Sequence, residues 1–272
     1  MGTATVGNKN LISNEEELIA AYLKERNLDR TNANDAPVHP ADNAYVRYIK
    51  RGLDLLIGVP AFAVTLPFNL VFGICTFFDV GRPIFYKQTR IGKGGKPFTM
   101  VKFRNMNNKT DADGKLLPPK ERVTKFGKFM RKFSLDELLN FWSVVKGDMS
   151  IIGPRPFPVF YGDRMSERHK KRSVVRPGLE CPRMLKGDPD ICQYQNQFEN
   201  DIWYVENVSF FVDVKMVLML FKMTFNITKR SKAAEGNGYF AGYDKNGIAT
   251  TLNRFKRMYP DEWNDIGNSM GD

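Results

Sequence analysis

The chain of 272 residues carries 41 Lys and Arg against 30 Asp and Glu, a formal net charge of +11, and its pI is near 9.5. That length buries a core either as one large domain with tails or as two small ones, and the charge asks for a polyanionic partner: nucleic acid, anionic lipid headgroups or a phosphorylated substrate. Cys75, Cys181 and Cys192 are too few for a disulfide framework, and their odd number suits a reducing compartment, so the soluble part is expected in the cytoplasm.

Residues 1–44 are polar. Within them Ser13-Asn14-Glu15-Glu16 ahead of Leu18, Ile19, Ala20 and Leu23 predicts a capping box opening a short amphipathic helix, and the stretch from Asn32 to Asn43 reads as a linker. From Leu55 to Phe78 there is no Asp, Glu, Lys, Arg or His. As a helix rising ~1.5 Å per residue this run reaches ~36 Å, enough for a hydrocarbon core of ~30 Å. Its late position without a short basic leader argues against a secretory signal, and Pro60 and Pro67 argue against a buried soluble helix because each removes a backbone donor and bends the helix. Arg47, Lys50 and Arg51 stand before it, and Arg82, Lys87, Arg90, Lys93 and Lys96 after it. Positive charge on both flanks opposes export of either one. Residues 45–80 are therefore expected to enter the membrane and return, bending at Pro67 with help from Pro60, provided that Asn69, Thr65 or protein neighbours satisfy the freed backbone groups.

Residues 81–228 have the texture of a folded domain. Pro83 to Gln88 and Phe98 to Phe103, joined through Gly92-Lys93-Gly94-Gly95, predict a β-hairpin; the glycines lack both the spacing and the strand-to-helix setting of a dinucleotide fingerprint. Glu121 to Lys146 reads as helix, with Phe126, Phe129, Met130 and Phe133 among Lys125, Lys128, Arg131 and Lys132 as a basic amphipathic face suited to anionic membrane lipids. Phe210 to Phe225 is apolar but interrupted by Asp213, Lys215 and Lys222, which suits a core or interfacial helix. Residues 229–272 look like a separate polar tail. The expected fold is α+β: mainly helical with a small β-hairpin or sheet, plus an N-terminal re-entrant membrane helix hairpin.

Two segments could carry chemistry. In Ser134-Leu135-Asp136-Glu137-Leu138-Leu139 a structural reading makes Ser134 an N-cap and Glu137 its capping-box partner. A functional reading has the helix N-terminus keep Asp136 ionised and welcome a phosphate, so that Asp136 attacks phosphorus beside a cation on Glu137. In Gly153-Pro154-Arg155-Pro156 the prolines set a rigid turn that aims one guanidinium, which suits a diphosphate; the bland alternative is a surface turn. Lys102, Arg104, Arg131 and Arg176 are each read singly as solvated surface. Neither His39 nor His169 has a partner at metal-ligand spacing, and there is no G-x-S-x-G or Walker A sequence.

In series these segments resemble the bacterial sugar transferase family, the monotopic polyprenyl-phosphate phosphoglycosyl transferases. The resemblance runs through Lys50-Arg51-Gly52-Leu53-Asp54, Pro83 to Gly92, Lys102-Phe103-Arg104-Asn105-Met106, Ser134 to Leu138, Gly147-Asp148-Met149-Ser150, Gly153 to Pro156 and Val175-Arg176-Pro177-Gly178. It implies that Asp136 attacks the β-phosphate of a UDP-sugar, releasing UMP, and that polyprenyl phosphate then takes the phosphosugar from the aspartyl intermediate. It further implies Glu137 as ligand of Mg2+, and Lys102, Arg104, Arg131, Arg155 and Arg176 around the substrate phosphates, at the cytoplasmic face of a bacterial inner membrane. Two departures stand out: Leu66-Pro67 replaces the family's Ser-Pro at the membrane bend, and Leu179-Glu180-Cys181-Pro182-Arg183-Met184 replaces its Ile/Leu-Thr-Gly-Trp-Ala-Gln. A basic membrane-anchored scaffold is the competing class, separated by whether Asp136 and Glu137 tolerate amides. The pI alone suggests nucleic acid, but no such motif is present. Homo-oligomerisation is left open.

Overall fold

A computed structural model describes residues 13–114, 116–225 and 238–268. Helix α1 (Asn14–Leu23) opens on the expected capping box: Ser13 Oγ accepts from the Glu16 amide, and the Glu16 carboxylate accepts from the Ser13 amide. The helical path continues through 24–34. After an extended stretch, α2 (Tyr45–Val80) is the one helix among the described residues long and apolar enough to cross a membrane. It runs on through Pro60 and Pro67. Its outer face is bare, with Val64 66%, Leu70 65% and Phe78 81% exposed. Its inner face is packed: Asp54, Gly58, Asn69, Gly73 and Thr76 are buried, at spacings that share one side of a helix. Thr65 Oγ1 donates to the carbonyls of Ala61 and Phe62, a back-bond that favours bending. Asn69 does not play the part expected of it: its amide is buried and bonds nothing.

The antiparallel hairpin β1 (Phe85–Ile91) and β2 (Pro97–Phe103) forms as its alternation and glycine turn predict. The expected helix from 121 to 146 does not form as one piece. It is divided into a single turn at Pro119–Arg122, α3 (Lys125–Lys132) capped by Thr124, the turn Leu135–Glu137, and α4 (Asn140–Lys146). Periodicity carried over the break because Ser134, although not glycine, takes the left-handed conformation (φ 55°) that stops α3. Strands β3 (Ser150–Ile152) and β4 (Gly178–Glu180) pair in parallel, and α5 (Gln193–Asn207) and α6 (Phe210–Phe225) close the domain. A short antiparallel pair, β5 (Phe240–Tyr243) with β6 (Ala249–Thr251), and helices α7 (Leu252–Met258) and α8 (Pro260–Asn268) follow. These bury Ala241, Leu252, Phe255 and Ile266 against Ile19 and Leu23 of α1, so the two terminal segments share one core.

The start of α2 is clasped to the domain by the Lys50–Asp54 segment. Lys50 Nζ meets Asp213 Oδ2 at 2.5 Å and the Ile152 carbonyl at 3.1 Å; Tyr45 and Tyr204 hydroxyls donate to the same Asp213. Arg51 donates to the carbonyls of Val144 and Val145, and Asp54 Oδ1 accepts from Ser150 Oγ and the Ile151 amide.

Candidate active site

Strand alternation puts Tyr86, Gln88 and Arg90 of β1 on one face of the hairpin with their partners Lys102, Met100 and Phe98 of β2. Just beyond β2, buried Asn105 makes the decisive contact: its Nδ2 donates to Asp136 Oδ2 at 3.0 Å, and its Oδ1 accepts from Arg131 Nη2 at 2.8 Å. Helix α3 comes this close because residue 127 is glycine; a Cβ there would lie 2.2 Å from the Asn105 carbonyl oxygen. The turn Leu135–Glu137 then carries Asp136, 5% exposed, into the space between α3 and β2.

The capping box expected at Ser134 is absent. Its side chain makes no cap bond, and a three-residue turn supplies no helix dipole. Asp136 is governed instead by burial, which pushes its carboxyl above the ordinary range, against the pull of nearby Lys102; adjacent Glu137 adds to the rise and Arg131 opposes it. Burial also lowers Lys102 and Arg131, countered at Lys102 by Glu137 and Asp136 and at Arg131 by Asp136. The result is a buried carboxylate with a neutral side-chain donor, Asn105, and the cations Lys102 and Arg131 near it.

Arg155 Nη2 donates to both oxygens of Glu137, at 2.9 and 3.1 Å, and Arg155 Nη1 lies 3.7 Å from Glu180 Oε2. The backbone of Arg155 is fixed by more than its flanking prolines. Arg172, in a buried ion pair with Asp201 at 2.6 Å, donates to the Arg155 carbonyl at 2.8 Å. Pairing of β3 with β4 brings Gly153 and Gly178 so close that a Cβ on Gly178 would sit 2.1 Å from the Gly153 nitrogen, which delivers Glu180 beside Arg155. Arg90, lowered by burial and by the charge of Arg155, ties the hairpin to this loop through the Pro156 carbonyl.

The structure thus gathers Asp136, Glu137, Lys102, Arg131 and Arg155. It engages the other two arginines elsewhere. Arg104 staples the end of α2 through the carbonyls of Val80, Gly81 and Arg82, and Arg176 donates to the Gly147 carbonyl. Asn105, Arg90, Arg172 and Glu180 were not singled out from the sequence; Asn105 stood inside a recognised block, but a neutral amide gives no charge signal. Among the described residues no three His, Cys, Asp or Glu side chains converge. Glu137 is the carboxylate here that could hold a magnesium ion, with substrate phosphates and water as the other ligands, once Arg155 releases the two oxygens it bonds.

The profile of the bacterial sugar transferase family matches residues 45–227. The chain belongs to that family. It is 43% identical over 140 residues to an uncharacterized sugar transferase, EpsL, of Bacillus subtilis, covering 52% of this chain and 69% of that protein. It is 32% identical over 191 residues to a UDP-glucose:undecaprenyl-phosphate glucose-1-phosphate transferase of Caulobacter vibrioides, covering 67% and 72%. Against a UDP-N-acetylgalactosamine-undecaprenyl-phosphate N-acetylgalactosaminephosphotransferase of Aeromonas hydrophila it is 34% identical over 177 residues, 62% of this chain but only 42% of that longer protein. The matched family segment contains Asn105, Asp136, Glu137 and Arg155, whereas α1 and residues 238–268 lie outside it.

Proposed function

We propose that the chain transfers a phosphosugar from a UDP-sugar to polyprenyl phosphate at the cytoplasmic face of the membrane, with Asp136 as nucleophile. The observation that carries this reading is the buried Asp136 carboxylate held by Asn105 at the edge of Lys102 and Arg131. Its oxygen attacks the β-phosphorus of the donor, the bond from that phosphorus to the bridging oxygen breaks, and UMP leaves with the electron pair. A phosphate oxygen of the lipid then attacks the same phosphorus and the carboxylate departs. Both nucleophiles are anions, so no proton need move. The residues' task is positioning and neutralising charge. Arg155 swings from Glu137 to the diphosphate, and a bound Mg2+ would add charge neutralisation at the phosphate oxygens.

The same reading has α2 enter the bilayer and return. In support, both of its ends bind one folded body: Arg51 and Asp54 hold α4 and β3, while Asp79 accepts from Thr124 and the carbonyls at Val80 and Gly81 accept from Arg104. A cleft of about 190 Å³ lined by Leu53, Ile57, Ile151, Phe210, Val214 and Leu218 offers apolar room for a prenyl chain at that surface. The decisive experiment supplies purified chain in lipid with a panel of UDP-sugars, polyprenyl phosphate and Mg2+ and measures UMP. Release by wild type and its loss in Asp136→Asn is the expected result; undiminished release by the variant overturns the mechanism. For topology, single cysteines at positions 40 and 95 in a Cys-free background should both resist a membrane-impermeant thiol reagent in intact cells, and labelling of either one from outside means a spanning helix.

A further inference from the structure

The family match ends at residue 227, yet the part of the chain beyond it grips the loop that follows β4 inside the matched domain. That loop, residues 181–192, leaves β4 directly after Glu180, the carboxylate beside Arg155. Its near half is pinned by α5: Asn200 Oδ1 accepts from the Met184 and Leu185 amides, and Asn196 both accepts from the Asp188 amide and donates to its carbonyl. Its far end is held from outside the family domain. Arg254 of α7 donates to the Asp190 carbonyl at 2.9 Å; just beyond the loop, the Tyr194 hydroxyl donates to the Gly238 carbonyl and Gln195 Oε1 accepts from the Ala249 amide at the start of β6. The terminal unit itself is rigidified by its core of Ile19, Leu23, Leu252 and Phe255.

We propose that this terminal unit is a brace that holds loop 181–192 as the wall recognising the donor's sugar; the assignment rests on the transferase reading above. The loop leaves β4 immediately after Glu180, which pairs with Arg155 at 3.7 Å, so its first residues start beside the group proposed to meet the diphosphate. It carries Arg183, Lys186, Asp188 and Asp190 and contains no Phe, Tyr or Trp. That inventory suits the hydroxyls of a sugar ring and offers no aromatic ring for a nucleobase to stack on. An irregular loop that had to order at each encounter would weaken binding by its lost entropy, and a brace removes that cost before the donor arrives. Arg254 is accordingly a positioning residue that touches no substrate.

The test uses the full chain in lipid with Arg254→Ala and, as an independent variant at the same seam, Gln195→Ala. Amide hydrogen exchange in 182–192 should rise about tenfold in each while the thermal midpoint stays put. The KM for UDP-sugar should rise three- to tenfold, with kcat within twofold, and the preference among UDP-sugars should flatten. In wild type, UDP-sugar should protect the 182–192 amides and UMP alone should not, a readout that needs no turnover and so stands even if no transfer is found. The brace is overturned if exchange in the loop is unchanged in both variants, or if the loop loosens without any change in KM or preference. Equal protection by UMP overturns the sugar assignment.

Discussion

Two of the places where this protein buries carboxylates are built in opposite ways. At the start of α2, Asp213 faces Lys50 and two tyrosine hydroxyls, and Asp54 Oδ1 takes a hydroxyl and an amide. At the turn after α3, Asp136 has one neutral donor, Asn105, and its cations stand off. The first arrangement spends its charges on holding a helix. The second sets burial, which raises the Asp136 carboxyl and disfavours its charge, against the pull of Lys102 and Arg131; that costs stability and, on the proposed mechanism, keeps a nucleophile available.

The sharpest test of the contrast is Asp136→Asn. UMP release should fall at least ~1,000-fold, about 4 kcal/mol of barrier, while the thermal midpoint holds or rises. The sign follows from burial: the folded state raises this carboxyl above its unfolded value, so ionising it is costlier in the fold. The penalty is present in full above the raised value and disappears as pH falls through it. Melting curves should therefore show the variant's advantage at neutral pH and its loss in acid, and a variant destabilised at pH 7 would refute the account.

Lys50→Met should do the reverse. It leaves the buried Asp213 carboxylate with hydroxyl partners but no counter-charge, a loss of about 3–5 kcal/mol. The midpoint should drop sharply, whereas the protein that remains folded should keep its KM for UDP-sugar; a selective loss of kcat with an unchanged midpoint would move Lys50 into the chemistry. Arg155→Lys sits between the two. Its main chain is fixed by Arg172, so the fold should persist, but a lysine loses the fork that reaches Glu137 and Glu180 together. About a tenfold fall in kcat/KM is expected, measured over a full range of donor concentrations.

What the sequence made legible follows the range of the forces involved. The hairpin, the α1 capping box and the apolar length of α2 depend on neighbours within a few residues, and each formed as expected. Ser134 was misjudged because its backbone angle is set by how α3 and the following turn pack against β2, and no local pattern encodes a positive φ at serine. The carbonyls that Arg104 meets are likewise out of local reach, because they are set across 24 residues of chain at Val80. The joint core of α1 and residues 238–268 was invisible for a related reason, since each segment alone presents half a hydrophobic face.

The smallest effect is expected at Asn69, and it probes the proposed re-entrant bend. Its amide is buried on the inner face of α2, two residues after Pro67, with neither polar atom bonded, while Thr65 alone reaches back to the helix carbonyls. A buried amide without partners costs about 1–3 kcal/mol, and an apolar group of similar size removes that cost. Asn69→Leu should therefore leave the thermal midpoint in lipid unchanged or raise it slightly, with UMP release within twofold of wild type. If the bend rests on Pro67 and the Thr65 back-bond, Thr65→Val should lower activity more than Asn69→Leu does. A reversed order, with Asn69→Leu the more damaging, would mean that the amide contributes to the bend after all, and that α2 in the bilayer satisfies it with a backbone carbonyl freed by proline.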